Sequence, residues 1–152
     1  MATIQHQVWI DAPCSKVYEA LSRTESMGRW WAPQTPVQTE AGLVLEHTAG
    51  PEHGVVRLKV LQQVPDRRVE WECISTHPES SPASGWTGTR IRFEISERKA
   101  PSWMAAAGAS KMAVLDFHHS GWDETSEYLG FCSFAWGQVL QNLKQVCESP
   151  GS

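Results

Sequence analysis

The chain opens on strict alternation. Ile4, His6, Val8 and Ile10 fall on one face, and Gln5, Gln7 and Trp9 on the other, which predicts a half-buried strand over residues 3–10. Periodicity then changes. Asp11 can cap, Pro13 suits a first helical turn, and Val17, Tyr18 and Leu21 make an apolar stripe. Thr24 opens a second short helical stretch that ends near Gly28-Arg29-Trp30-Trp31, with Pro33 and Pro36 as its stops.

Strands dominate from there. Leu43 to His47 reads as a short one. Val55 to Val64 alternates, with Val56, Leu58 and Val60 against Arg57 and Lys59. Pro65-Asp66 is a turn into Arg68 to Thr76, where Val69, Trp71 and Cys73 oppose Glu70 and Glu72. Residues 77–85 form a polar loop. Trp86 to Ser96 places Thr89, Ile91, Phe93 and Ile95 inward and Arg90, Arg92 and Glu94 outward. Residues 97–111 read as a long connection. Lys111 to Ser120 is the last strand, with Ala113, Leu115, Phe117 and His119 on one face. After Gly121-Trp122 a helix runs to about Cys147, its apolar positions spaced by three and four.

The pattern predicts an α+β domain: a strand, two short helices, a run of antiparallel strands and one long C-terminal helix. Clean alternation gives each strand one wet face, and the long helix must cover the dry one. Neither an internal repeat nor a domain boundary interrupts residues 1–152, so one domain is expected.

Composition narrows the function. Thirteen Lys and Arg against seventeen Asp and Glu leave a net charge of -4. With no basic cluster, nucleic acid is a poor partner, because phosphate binding runs on Lys and Arg. No apolar run is long enough for a membrane span. The first ten residues lack a signal peptide's basic start and apolar run, and Cys14, Cys73, Cys132 and Cys147 are scattered, so reduced thiols and a cytoplasmic location are expected. Eight Trp against two Tyr and four Phe is the unusual entry in the composition. Trp buries much apolar area but carries an N–H that wants a partner, so it favours half-wet sites such as pocket mouths.

Several segments carry a resemblance. Val8-Trp-Ile-Asp-Ala-Pro-Cys-Ser-Lys-Val-Tyr-Glu-Ala-Leu21 resembles the opening of START-like, helix-grip domains, and Met27-Gly28-Arg29-Trp30-Trp31 their signature at the second short helix. Pro65-Asp66-Arg67-Arg68-Val69-Glu70-Trp71 is similar to their central hairpin. Trp86 to Phe93, His119-Ser120-Gly121-Trp122 and Cys132-Ser133-Phe134-Ala135-Trp136 resemble the branch of chaperone-ATPase-activator homologues within this SRPBCC superfamily. The resemblance spans roughly residues 3–146. It implies a curved antiparallel sheet gripping the long helix with a cavity between them. The superfamily includes lipid carriers, plant-type ligand binders and polyketide cyclases, and no common catalytic set is implied.

Three readings of function follow. The first is binding of a small hydrophobic molecule, aromatic or lipid-like, between sheet and helix. Its candidate ligand-binding residues are Trp30, Trp31, Trp71, Phe93, Phe117, His119, Phe131 and Trp136. Trp86 and Trp122 are expected at the rim or in packing. The second is a cyclase- or hydrolase-like enzyme with His119 as its acid or base. The third is a chaperone ATPase activator homologue acting by protein–protein contact. Glu70, Glu72 and Glu94 are expected in cross-strand charge pairs rather than in catalysis. His47 and His53 have no metal-site spacing, and no nucleotide or dinucleotide loop occurs, so neither metal nor cofactor is expected. Trp9 or Trp103, if exposed, would mark a dimer patch, which leaves a homodimer open.

Overall fold

The computed structural model describes residues 1–103 and 111–150. Its centre is a seven-stranded antiparallel sheet in the order β1-β7-β6-β5-β4-β3-β2. β1 (Ala2–Ile10) starts the chain, α1 (Cys14–Ser22) and α2 (Thr24–Met27) follow, and β2 (Thr35–Thr39) to β7 (Lys111–Trp122) complete the sheet. The long helix α3 (Leu129–Glu148) lies across its dry face. This is the curved-sheet, helix-grip α+β architecture that the alternation and the resemblance imply.

The strand phases fix the core. Ile91, Phe93 and Ile95 on β6 (Arg90–Lys99) are buried, as are Val69, Trp71 and Cys73 on β5 (Arg68–Cys73), and Ala113, Leu115, Phe117 and His119 on β7. The opposite face is wet and charged. Glu94 pairs with Arg92 at 2.9 Å and with Arg68 at 3.7 Å. Between β4 (Val55–Val64) and β5, Pro65 and Asp66 make the tight turn, with the Arg67 N–H donating to the Val64 carbonyl at 3.0 Å. Asp66 sits at φ 64°, the left-handed position that a type II turn demands and that Asp tolerates better than most residues.

Some boundaries differ from expectation. The second helical stretch ends before Pro33 as expected, but Thr35–Thr39, with Pro36 inside it, adds a strand that the pattern does not predict. β2 is an edge strand, where a residue without an N–H costs no ladder bond on the open side. Asp11 does not cap α1: Pro13 holds the N-cap position, and the Asp11 backbone N–H goes to Glu148 Oε2 at 2.8 Å. Trp86 to Thr89 is not strand. Pro82–Gly85 forms a 3-10 helix capped by the Ser81 side chain, Trp86 ends it, and Gly88 at φ 81° turns the chain into β6. β5 stops at Cys73 rather than Thr76. β6 runs on to Lys99, so the long connection is shorter than residues 97–111, and its residues 104–110 lie outside the described residues. Trp122 is the last residue of β7, and α3 starts seven residues after it, at Leu129.

Candidate functional site

Helix α3 presents a narrow buried line of Cys132, Trp136, Leu140, Leu143 and Cys147 to the sheet. Beside that line, Phe131, Ala135 and Val139 recur every fourth residue and so share an adjacent stripe. Between this stripe and the sheet lies a pocket of about 180 Å³. Its other walls are His47 and Ala49 at the end of β3 (Gly42–Thr48), Val56 on β4, Trp31 after α2, and Pro82, Ala83 and Trp86 of the 3-10 segment. The volume is near that of an engineered apolar cavity of about 150 Å³ that accepts benzene.

Three indole rings frame it. Trp31 lies 5.1 Å from Trp136 and 6.2 Å from Trp86, and Trp86 stacks on Trp136 at 5.7 Å with 17° between planes. Behind them the aromatic cluster continues inward. Trp71 stacks on Trp31 at 6.0 Å, Phe93 meets Trp71 at 5.1 Å, and Phe117 meets Trp136 at 4.6 Å. Trp30 is buried beside Trp31 and donates its N–H to the Ala20 carbonyl at 2.8 Å. Each such ring pair adds about 0.5–1.5 kcal/mol beyond the area it buries. The cluster therefore makes a stiff wall.

The polar groups here are mostly committed to the protein. Trp136 Nε1 donates to His119 Nδ1 at 3.1 Å, and an indole N–H can only donate. Nδ1 is therefore bare, and Nε2 carries the proton of the neutral ring. It donates to Thr89 Oγ1 at 2.7 Å, whose hydroxyl in turn donates to the Trp86 carbonyl at 2.5 Å. His119 is fully buried, and burial pushes its pKa down to about 3. Trp86 Nε1 donates to Cys132 Sγ at 3.5 Å; burial holds that thiol above its ordinary range, partly offset by this bond.

His47 is different. Its Nδ1 lies 3.1 Å from Gln34 Oε1, and Gln34 Nε2 donates to the Ala32 carbonyl at 3.0 Å, which fixes the amide's orientation. Nδ1 is therefore the protonated nitrogen and donates to Gln34. Burial first, and the charge of His77 second, lower the His47 pKa to about 4. Its ring meets Trp31 edge-on at 4.8 Å.

The sequence-derived candidates divide into three groups. Trp31 and Trp136 line the pocket. Trp30, Trp71, Phe93, Phe117 and His119 are buried behind the wall, where they fill the core rather than face the pocket. Phe131, expected inward, is 62% exposed and stands at the outer rim. It lies one residue, about 100° of helix, from the buried Cys132. His47, which has no metal-site spacing, shares the phase of the buried Leu45 on β3 and so points inward. A larger groove of about 720 Å³ runs between β1 and α3, but Asp11, Gln141, Lys144 and Glu148 line it. Lys144 there is tied to Glu148 at 2.6 Å and to the Trp9 carbonyl at 2.7 Å. Among the described residues no three His, Cys, Asp or Glu side chains converge in a metal-holding group. No helix among them is long and apolar enough to cross a membrane.

Residues 11–148 match the family model described as activator of Hsp90 ATPase homolog 1-like protein. The chain belongs to that family. No curated protein matches the activator-homologue chain. Among solved structures it is similar to the Aha1 dimer from Colwellia psychrerythraea, at 24% identity with 100% of each chain covered and a TM-score of 0.72. A protein of Mesorhizobium loti is 17% identical over 95% of this chain and 96% of its own, with a TM-score of 0.70. A protein of the dynemicin biosynthetic locus is 14% identical over 97% of this chain and 47% of its own, with a TM-score of 0.68. At these identities the likeness carries the activator-homologue fold.

Proposed function

We propose that this activator-homologue domain binds a small, flat, apolar molecule of single-ring size in the pocket between α3 and the sheet. One observation carries the reading: Trp31, Trp86 and Trp136 frame a pocket of about 180 Å³ whose walls are otherwise mostly aliphatic. A few placed polar groups in an apolar concavity are the usual make-up of a small-molecule site. Catalysis by His119 has less support, because both ring nitrogens are bonded within the protein and the ring is shielded by Trp86 and Trp136. The test is a titration of intrinsic tryptophan fluorescence with single-ring aromatics, repeated on Ala135→Leu, which fills the pocket from α3. Saturable quenching that Ala135→Leu abolishes, with its circular dichroism unchanged, supports the reading. No saturable response, or one that the filled pocket retains, overturns it.

A second reading, self-association, is favoured by Phe131 and Phe134, which are 62% and 70% exposed on α3. The Colwellia protein of the same fold is a dimer. Sedimentation would show a dimer that Phe134→Gln weakens; a monomer at all accessible concentrations would refute it.

A further inference from the structure

Resting on that pocket reading, we infer that the ligand is an aromatic carrying a hydrogen-bond donor, a phenol-type hydroxyl or ring N–H, accepted by Nε2 of His47. The geometry leaves this atom for the task. Gln34 takes the His47 Nδ1 proton at 3.1 Å and is itself held by the Ala32 carbonyl at 3.0 Å. A neutral imidazole with Nδ1–H has a bare lone pair at Nε2. Nε2 has no hydrogen-bond partner among the described residues, although its ring lines the pocket. Among the other side chains on the lining, the Trp31 indole N–H is without a hydrogen bond among the described residues, but it can only donate and so does not compete for a ligand's proton. Trp86 and Trp136 spend their N–H groups on Cys132 and His119, and Cys132 Sγ is a weak acceptor already engaged. The pocket therefore offers His47 Nε2 as a side-chain acceptor in an apolar, indole-walled space.

The consequence is selectivity of a particular kind. A donor on the ligand meets the lone pair. An ether or carboxylate oxygen meets it lone pair against lone pair and gains nothing from His47. A site whose polar group is left unmatched discriminates more sharply than one that merely has room. Gln34 is a positioning residue here, acting only through the tautomer it imposes on His47.

Phenol, anisole and toluene test this, as ligands of one ring that differ in a single group. Phenol should bind about tenfold tighter than toluene, the size of one net hydrogen bond, and anisole should bind like toluene. His47→Phe should remove the preference for phenol over toluene, read as the ratio of the two affinities. In the unmodified protein, the ¹⁵N resonance of His47 Nε2 should move on adding phenol and stay on adding toluene. That readout needs no variant to fold. Equal binding of all three, or an Nε2 resonance that phenol leaves still, overturns the inference while the pocket reading stands. If none of the three binds, the pocket reading fails and takes this inference with it.

Discussion

Trp136 on α3 donates its indole N–H to Nδ1 of His119 on β7, at 3.1 Å. This bond joins the gripping helix to the sheet and fixes the tautomer of a buried histidine. It also sets the plane of a ring that frames the pocket. From it follows a chain of dependence: Trp136 to His119, His119 to Thr89, and Thr89 to the Trp86 carbonyl.

Thr89→Val should break that chain at its middle. The replacement keeps the shape but leaves the His119 Nε2–H buried without an acceptor. The expected cost is about 1–3 kcal/mol, read as a lower midpoint of urea unfolding. A midpoint unchanged within error would mean the chain contributes nothing to stability.

Stability should fall in acid through two histidines. His119 is pushed down to about 3 and His47 to about 4, both below the ordinary value of 6.5. The unfolded chain takes up these protons below about pH 6.5, whereas the folded chain resists until the lower values. The contribution is therefore complete above about pH 6.5 and is lost progressively as pH drops towards 3–4, by on the order of a few kcal/mol. Urea midpoints at about pH 7 and about pH 4.5 measure it. His119→Gln should flatten the slope.

Gly85 supports the 3-10 wall of the pocket for a steric reason. A Cβ there would stand 2.6 Å from Cζ3 of the fully buried Trp122. Gly85→Ala forces that ring or the 3-10 segment to move, and overpacking of this kind costs about 1–3 kcal/mol. Thermal unfolding should show a lower Tm.

The four free cysteines should separate in reactivity. Cys73, Cys132 and Cys147 are buried and Cys14 is half-exposed, and burial is the main force raising all four thiols, Cys147 to about 11. The thiolate is the reactive form. A disulfide reagent at neutral pH should label Cys14 slowly and the other three only after unfolding, as peptide mapping would show.

The sheet, the helix and the inward phases were legible because burial on one face writes itself into alternation. Thr89, Ile91, Phe93 and Ile95 are all inward, as their period requires. β2 was not legible, since its Pro36 mimics a stop and only its place at the sheet edge explains it. The site was half-legible. Trp31 and Trp136 follow from position and phase. Nothing local distinguishes them from Trp71, Phe93 and Phe117, because a side chain that fills a core and one that walls a pocket have the same chemistry. The difference depends on whether another element arrives to fill the space. Gln34 beside His47 is a contact between a loop and a strand thirteen residues apart, and no pattern along the chain announces it.

Entry of an aromatic molecule between Trp31, Trp86 and Trp136 can be reported one by one by the eight indole N–H groups of this chain. In a ¹H–¹⁵N spectrum with assigned tryptophan side chains, titration with phenol should shift the signals of Trp31, Trp86 and Trp136 together along one saturable curve. Trp9 on the outer sheet face and the exposed Trp103 should hold still. Shifts confined to Trp9 and Trp103, or none in the three pocket indoles at saturating phenol, would contradict the account.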